Sequence, residues 1–326
     1  HYYSTFCCLV TIVILLRSLR YKLKSFGRQK PKLNPPASLT DPRYGVHKYI
    51  RANNVKLHYV ENGDPSKPLM LFIHGCPEFW YSWRHQIVEF KKDYYCVAVD
   101  MRGYGDSEKP EGISSYNLDI LVEDVRDFIR KLGRNKCILV SHDWGGIVAS
   151  KFRDTHPNYV DGIMMFASIT RETWHKAIWS NLNQHLRSWY TFFFLMPKLP
   201  EWAFEMGNLQ MFDTMFQYGD KNADANTIAC YKYTFSKPGS FTAPVNYYRA
   251  LFSLTCPEKY KDDNVPMLLA NPEKDLALDP ILLDRIKEEY KYIETMLVKG
   301  SYHFLQEQEP ERVNKIMREF LAKHKL

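Results

Sequence analysis

The stretch that decides the fold is Lys136–Ser150, which reads K-C-I-L-V-S-H-D-W-G-G-I-V-A-S. Its apolar run Cys137–Val140 is typical of a buried strand, and Ile147–Phe152 is typical of the start of a helix. Between them, residues 141–146 follow a small–x–nucleophile–x–small–small pattern, which indicates a strand-to-helix turn too tight for bulky neighbours. The tip of this predicted turn carries Asp143, whereas the familiar form of the motif carries a serine.

An aspartate at the tip predicts different chemistry from a serine. A carboxylate with a reference pKa of about 3.9 is ionised at neutral pH, so it needs no base before it attacks. Attack on an acyl carbon would give only a mixed anhydride, but attack on an sp3 carbon with a strained or good leaving group gives an alkyl ester that water can hydrolyse. We therefore expect alkyl transfer followed by hydrolysis, with epoxides and alkyl halides as candidate substrates. The flanking glycines disfavour the alternative that Asp143 is only a turn residue or helix cap.

The length and composition are those of a packed α/β protein. A chain of 326 residues with 45% hydrophobic residues suits one large domain or two smaller ones. Its net charge of +7 is equal to the number of basic residues in residues 17–32, a segment without acidic residues. Because the rest of the chain is neutral, the charge indicates a collar beside a membrane rather than a nucleic-acid-binding face. The seven basic residues are Arg17, Arg20, Lys22, Lys24, Arg28, Lys30 and Lys32.

The cysteines predict reduced thiols and no metal site. They number seven and include no CxxC pair. Cys96 and Cys137 fall within apolar strand-like runs, where cysteine behaves as a small core residue. We expect neither a metal nor a cofactor.

The first 20 residues predict a membrane anchor. Tyr2–Leu16 is uncharged and mostly apolar, and as a helix it would cover about 22 Å, short of the roughly 30 Å of a bilayer core. A cleaved signal peptide is the alternative, but there the positive charge precedes the apolar run. Residues 21–44 then form the basic collar and a proline-rich linker. The positive-inside rule predicts a cytosolic catalytic domain, and we expect the anchor in the endoplasmic reticulum.

Residues 45–326 predict one catalytic domain. Apolar strands alternate with amphipathic helices, which indicates a doubly wound, mostly parallel sheet. The alternation stops between about residues 168 and 256, an aromatic-rich region that we interpret as a helical lid inserted after the sixth strand. The predicted strands are Val46–Ile50, Val55–Glu61, Leu69–Ile73, Tyr95–Val99, Cys137–Val140, Gly162–Ala167, Val265–Ala270 and Tyr292–Val298, and the predicted helices include Glu78–Lys92, Leu118–Leu132 and Glu311–Lys323.

Two polar sites after the last strands complete a catalytic triad. Asp275 follows the seventh predicted strand and His303 the eighth, so the order nucleophile, acid, histidine is that of the α/β-hydrolase fold. A lone histidine after a strand is more often a surface or core residue, but the predicted turn at Asp143 favours a catalytic base. Glu273 and Asp279 compete with Asp275 for the role of the acid.

An oxyanion hole is predicted from the turn that follows the third strand. The backbone N–H of Cys76, in His74-Gly75-Cys76-Pro77, would be one donor, and the backbone N–H of Trp144 would be the other. A Gly-x-Pro turn is common, so this motif is weak by itself.

Taken together, these motifs resemble those of the α/β-hydrolase epoxide hydrolases. The resemblance runs from about residue 45 to the C-terminus, and with the N-terminal anchor the chain is similar to the membrane-anchored animal epoxide hydrolases 3 and 4. It implies two lid tyrosines that act as acids, Tyr248 in Asn-Tyr-Tyr-Arg and Tyr190 in Trp-Tyr. The motifs that carry it are His74-Gly-Cys-Pro, Asp100-Met-Arg-Gly-Tyr-Gly-Asp-Ser, Ser141-His-Asp-Trp-Gly-Gly and Gly300-Ser-Tyr-His.

Three departures from the family pattern predict an altered pocket. Cys76 stands where the family usually has an aromatic residue, and Asn271-Pro272 replaces a Trp-Gly pair. Ser168-Ile169-Thr170 stands where the family has His-Pro.

The resulting expectation is an epoxide hydrolase whose partners are water and a small apolar epoxide, such as an epoxy fatty acid arriving from the bilayer. Asp143 would form an ester that a water activated by His303 and Asp275 hydrolyses to release a diol. The alternatives are a haloalkane or haloacid dehalogenase and a non-catalytic, membrane-tethered binding protein on the same fold. The sequence makes no prediction of oligomeric state.

Overall fold

A computed structural model describes residues 33–205, 209–218, 224–252 and 265–326. The predicted anchor, residues 1–20, and the seven basic residues of the collar lie outside the described residues. Within the described ranges, no helix combines the length and the apolar character needed to cross a membrane.

The described residues build an eight-stranded sheet in the order β1-β2-β4-β3-β5-β6-β7-β8. β1 pairs antiparallel with β2, and β2 pairs antiparallel with β4, whereas all pairs from β4 to β8 are parallel. The central strands β3, β4 and β5 are buried along their whole length, as expected for parallel strands covered by helices on both faces. The strands are β1 Val46–Ala52, β2 Val55–Asn62, β3 Leu69–Ile73, β4 Tyr95–Val99, β5 Cys137–His142, β6 Val160–Phe166, β7 Met267–Pro272 and β8 Ile293–Val298.

The helices outside the lid cover the faces of this sheet. The helix at Leu118–Lys131 shows why: its apolar residues recur at helical spacing and are buried on one side, while its last turn carries two basic residues that favour the C-terminal end of a helix. These helices are α1 Arg84–Phe90, α2 Leu118–Lys131, α3 Trp144–Thr155, α11 Ile281–Glu289, α12 Leu305–Gln308 and α13 Pro310–His324, with 3-10 turns at Ala37–Thr40, Trp80–Trp83, Ser114–Tyr116 and Pro157–Tyr159.

The predicted helix Glu78–Lys92 is shorter in the structure. It begins as the 3-10 turn at Trp80–Trp83 and ends at Phe90, because the side chain of Glu78 turns inward to accept a hydrogen bond from the backbone of Gly75 at 2.7 Å. In contrast, α3 begins at Trp144, before the predicted start, because it continues directly from the turn at Asp143.

The lid lies between β6 and β7, after the sixth strand as predicted. Its helices pack through their aromatic side chains, and Arg249 joins three of them. The Arg249 guanidinium donates to the backbone oxygen of Phe194 at 3.0 Å and forms an ion pair with Glu201 at 2.8 Å. The described helices of the lid are α4 Arg171–Ser180, α5 Leu182–Arg187, α6 Trp189–Phe194, α7 Leu199–Glu205, α8 Met211–Gln217, α9 Ala225–Phe235 and α10 Thr242–Phe252.

The end of the proline-rich segment packs on the lid. Leu39 is buried, and the Ser38 hydroxyl donates to the side chain of Asn226 at the start of α9 at 2.9 Å. The chain therefore enters the catalytic domain beside the lid.

Candidate active site

Asp143 lies at the tip of a strained turn between β5 and α3. Its φ of 47° and ψ of −117° lie where a residue with a side chain pays a conformational cost of about 1–3 kcal/mol. The following glycines permit this turn because a Cβ on Gly145 would lie 2.3 Å from the Ile73 oxygen, and one on Gly146 would lie 2.0 Å from the Ser168 hydroxyl. The turn thus requires glycine for the close approach of its neighbours.

Backbone N–H groups stabilise the Asp143 carboxylate. The N–H of Cys76 donates to Oδ1 at 2.8 Å, and the N–H of Trp144 also favours the charged carboxylate. Gly75 allows this contact, since a Cβ there would lie 2.5 Å from the Asp143 Cβ. Burial raises the pKa of Asp143, while the nearby His303 and these two N–H donors oppose the rise. Of the two carboxylate oxygens, Oδ1 is the one that accepts from the Cys76 N–H.

His303 and Asp275 complete the cluster around Asp143. The Nε2 atom of His303 lies 3.7 Å from Asp143 Oδ2, and its Nδ1 atom lies 2.8 Å from Asp275 Oδ2. The other oxygen of Asp275 accepts from the N–H groups of Ala277 at 2.7 Å and Leu278 at 3.1 Å. Burial disfavours the imidazolium, but the charge and hydrogen bond of Asp275 outweigh it and raise the pKa of His303 to about 9.

The two competing carboxylates are engaged elsewhere. Glu273 accepts from the N–H of Gly300 at 2.8 Å, and Asp279 accepts from the N–H of Ile281 at 3.2 Å. In the described part of the chain, Asp275 is thus the carboxylate hydrogen-bonded to the His303 ring.

Two lid tyrosines line the same cavity as Asp143. Tyr190 on α6 and Tyr248 on α10 have ring centroids 5.8 Å apart. The Tyr248 ring also packs edge-on against Trp144 at 5.0 Å. Burial raises the pKa of both phenols, and the negative charge of Asp143 acts in the same direction, so both remain protonated donors at neutral pH.

Sequence reasoning assigned no role to Glu78 and His142, which form a buried network beneath the site. Glu78 Oε2 lies 2.7 Å from His142 Nδ1, and Glu78 Oε1 accepts from the Gln306 amide at 2.7 Å. The other ring nitrogen, His142 Nε2, lies 2.9 Å from the backbone oxygen of His303. Glu78 also accepts a hydrogen bond from the Gly75 N–H. Its carboxylate therefore connects the turn at Gly75 and Cys76, through His142, to the loop that carries His303. The sequence feature that could have indicated a role for His142 is its position directly before Asp143.

Two of the departures from the family pattern contact one another. The Ser168 N–H donates to the Asn271 side chain at 3.0 Å, and the Asn271 amide donates back to the Ser168 oxygen at 2.9 Å. The Ser168 hydroxyl also donates to the backbone oxygen of Asp143 at 2.7 Å. This reciprocal pair therefore supports the nucleophile turn from the side of β6 and β7.

Cys76 is the third departure from the family pattern, and its thiol is unreactive at neutral pH. Burial and the charge of Asp143 raise the pKa of Cys76 to about 12, so the thiolate is not formed at neutral pH. The contribution of Cys76 to the site is the backbone N–H.

Two cavities adjoin the cluster. A small one, of about 30 Å³, lies beside Asp143 and both lid tyrosines and has room for one or two water molecules. A larger one, of about 240 Å³, is bounded by His303, and Ala277 lines both cavities. Among the described residues, no group of three or more His, Cys, Asp or Glu side chains could hold a metal ion.

The parallel sheet, the strained turn and the Asp143–His303–Asp275 cluster define an α/β-hydrolase. The family described as "alpha/beta hydrolase fold" matches residues 68–310. Epoxide hydrolase 4 of Mus musculus is 35% identical over 98% of this chain and 91% of its own length, and epoxide hydrolase 3 of Xenopus tropicalis is 34% identical over 97% and 91%.

Solved structures that are similar to this chain are also epoxide hydrolases. The Bacillus megaterium epoxide hydrolase, crystallised with an inhibitor, is 32% identical, with a TM-score of 0.76 over 84% of this chain and 100% of its own. An epoxide hydrolase from Vigna radiata is 28% identical, with a TM-score of 0.73 over 86% and 98%. The chain therefore belongs to the epoxide hydrolases of the α/β-hydrolase fold.

Proposed function

We propose that this protein hydrolyses apolar epoxides to vicinal diols through a covalent ester on Asp143. The observation that carries the proposal is the setting of its carboxylate: Oδ1 accepts from the Cys76 N–H, Oδ2 lies 3.7 Å from Nε2 of His303, and both lid tyrosines line the same small cavity as Asp143. This arrangement provides a nucleophile and two acids for one three-membered ring.

Ring opening is the first step. Oδ2 of Asp143 attacks a ring carbon and forms a C–O bond, while the bond from that carbon to the epoxide oxygen breaks. Tyr190 and Tyr248 donate hydrogen bonds to that oxygen, and one phenol transfers its proton to the developing alkoxide. The phenols suit this role because burial keeps them protonated until a stronger base, the alkoxide, forms.

Ester hydrolysis is the second step. The charge on Asp143 favours it only after ring opening, when the carboxylate has become a neutral ester. The carboxylate charge of Asp143 helps to raise the pKa of His303, and formation of the neutral ester removes this charge. His303 then gives its proton to the tyrosinate left by ring opening, and the neutral imidazole accepts a proton from water, which attacks the Cγ carbon of Asp143. The N–H groups of Cys76 and Trp144 hold the resulting oxyanion on Oδ1. The Cγ–Oδ2 bond breaks, the imidazolium protonates Oδ2, and the diol leaves with that oxygen. The new carboxyl group of Asp143 then gives its proton to the imidazole, which restores the starting charges.

A single turnover in 18O-labelled water tests the covalent route. Water attacks the ester carbonyl, so the diol of the first turnover should carry an unlabelled oxygen from Asp143, and the label should enter that carboxylate. The variant His303→Gln should accumulate the ester, visible as an intact-protein mass increased by the mass of the epoxide, whereas Asp143→Asn should show neither ester nor diol. Direct incorporation of label into the first diol would refute the covalent route.

The alternatives predicted from the sequence give different results in the same assays. A dehalogenase would release chloride from chloroalkanes and leave epoxides intact, and a binding protein would convert neither. The paired phenols favour the epoxide, because they can protonate an alkoxide, whereas a halide leaves without a proton.

We further propose that residues 1–20 anchor the protein in the endoplasmic reticulum membrane, with the catalytic domain on the cytosolic side. The basic residues that follow the apolar run favour this orientation. Apolar epoxides such as epoxy fatty acids would then reach the site from the bilayer. In sealed microsomes, added protease should degrade the catalytic domain, and protection of the domain would contradict this orientation.

A further inference from the structure

The outer surface of the lid exposes an unusual group of large apolar side chains. Six of them lie on or beside four successive helices, α4 to α7, and their exposed fractions range from 37% for Trp189 to 64% for Trp179. Single exposed apolar residues are ordinary, but a clustered set marks an interaction surface. We call this set the lid patch: Trp179, Leu182, Leu186, Trp189, Leu195 and Trp202.

The helices that carry the lid patch are neighbours: α4 packs on α5, α5 on α6 and α6 on α7. The Trp179 ring lies 6.1 Å from the Phe192 ring, which joins α4 to α6. Leu182 and Leu186 are one helical turn apart on α5, so they share one face. The Trp189 ring packs 6.2 Å from Phe193 within α6.

The charges around the lid patch are mixed. Residues 173–200 contain no Asp or Glu and include the exposed Lys198, but Lys176 pairs with Glu172 at 3.0 Å, and the exposed Glu205 follows Trp202 by three residues. The exposed tryptophans and leucines, with Lys198 beside them, fit the boundary between anionic headgroups and acyl chains. Tryptophan in particular favours this boundary, where its ring is half in an apolar medium and its N–H is in a polar one.

The N-terminal sequence indicates which partner covers the patch. Tyr2–Leu16 is apolar, and seven basic residues follow it before the described chain begins at residue 33. The 16 residues from 17 to 32 span at most about 50–60 Å when extended. An anchored catalytic domain would therefore stay close to the bilayer, and the connecting segment reaches it on the side of the lid. A membrane surface is therefore the partner that the chain itself brings near.

We propose that the lid patch inserts into the cytosolic face of the bilayer and presents the active site to epoxides dissolved there. This rests on the proposed function and the proposed anchor. Helix α6 connects the two surfaces: Trp189 faces outward in the patch, and the adjacent Tyr190 lies over Asp143. Insertion would thus place the acid of ring opening about one helix diameter from the lipid, roughly 10 Å.

Tryptophan fluorescence of the full chain tests insertion without any turnover. The chain has seven tryptophans, and residues 1–79 contain none, so the signal reports on the catalytic domain and not on the anchor. Three of them, Trp179, Trp189 and Trp202, are exposed, and the other four are buried. In vesicles of phosphatidylcholine and phosphatidylserine with brominated acyl chains, we expect quenching of the wild-type emission, and weaker quenching without phosphatidylserine.

The variants identify the inserting surface. A triple variant, in which Gln replaces the leucines, keeps all seven tryptophans and should lose most of the quenching: Leu182→Gln, Leu186→Gln and Leu195→Gln. Replacing the three exposed tryptophans by phenylalanine keeps an apolar patch, and it should retain vesicle activity while losing the quenchable emission. The matched control, Val88→Gln with Ile113→Gln, alters side chains that are equally exposed but lie outside the lid, and it should behave as wild type. Thermal unfolding shows that each variant is folded.

Kinetics supply the second readout. The triple leucine variant should lose about tenfold in kcat/KM for an apolar epoxide presented in vesicles, through KM, and keep kcat/KM for a small water-soluble epoxide. Wild-type emission that brominated lipid leaves unquenched, or equal quenching in wild type and the triple variant, would overturn the proposal. A third result would also overturn it: brominated lipid does not quench wild-type emission, and the triple variant has a different oligomeric state from wild type. The lid patch would then contact a second copy of the chain rather than lipid. Quenching without diol formation from any epoxide would instead refute the proposed function and leave the docking surface standing.

Discussion

The substitution Asp275→Asn separates the two proposed chemical steps. In the structure, Asp275 accepts a hydrogen bond from Nδ1 of His303 at 2.8 Å and stabilises the charged imidazole. It does not touch the position from which Asp143 attacks. We therefore expect ring opening to continue in this variant and hydrolysis of the ester to slow.

The size of the effect follows from the pKa of His303. Its rise from 6.5 to about 9 corresponds to about 3 kcal/mol, to which Asp275 is the largest favourable contributor and Asp143 adds. Without the carboxylate, the imidazole is a weaker base and is free to adopt the wrong tautomer, so ester hydrolysis should slow by about 10²–10⁴-fold. Because the folded-state pKa is raised, the stabilisation from the pair is fully present below pH 6.5 and is lost as the pH rises through about 9.

Two measurements check these values. Rapid mixing with an excess of epoxide, followed by intact-protein mass, should show the ester accumulating in Asp275→Asn but not in wild type. Urea unfolding should show a difference in free energy between the two proteins of about 2–3 kcal/mol near pH 6.5, which shrinks above pH 9.

Glu273→Gln is the matched control, because Glu273 precedes Asp275 by two residues and bonds to Gly300 rather than to the imidazole. It should hydrolyse the ester at the wild-type rate. The reasoning fails if Asp275→Asn hydrolyses its ester as fast as wild type, or if the stability difference between them is the same at pH 6.5 and pH 10.

Three further substitutions test other parts of the site and its frame. Tyr248→Phe should slow ester formation by about 10–10²-fold in single-turnover mass measurements and leave ester hydrolysis unchanged, whereas equal slowing of both steps would argue against its role as the acid. Gly75→Ala would place a Cβ 2.5 Å from the Cβ of Asp143, so both activity and melting temperature should fall; full activity would show that the turn can shift without cost. Glu307→Gln removes the buried ion-pair partner of Arg84 and should lower the free energy of unfolding by about 3–5 kcal/mol, measured by thermal and urea denaturation; a change below 1 kcal/mol would contradict the pairing.

Local patterns predicted most of the sheet and the turn at Asp143. β3 and β4 have the predicted bounds, because a short apolar run between polar turns has few alternatives to a buried strand. The glycines at 145 and 146 were likewise recognisable from the motif, although the atoms they approach belong to Ile73 and Ser168, which only the fold brings there.

Other features depended on parts of the chain that meet only after folding. The sequence left Glu273, Asp275 and Asp279 as candidates for the acid, and the structure distinguishes them by the path of one loop: only Asp275 is directed at the His303 ring among the described contacts. The inward turn of Glu78, which shortened a predicted helix, likewise arises from its contact with His142, 64 residues away.

The sequence by itself determined the fold class and the candidates for nucleophile, acid and base, because each motif lies within a few neighbouring residues. Only the tertiary structure decided the charge state of the site and the shape of its surroundings. Burial, Asp275 and Asp143 together set the pKa of His303, and the lid brings Tyr190 and Tyr248 over the nucleophile from separate helices. These properties depend on distances between residues far apart in sequence and on the exclusion of water, which no local pattern records.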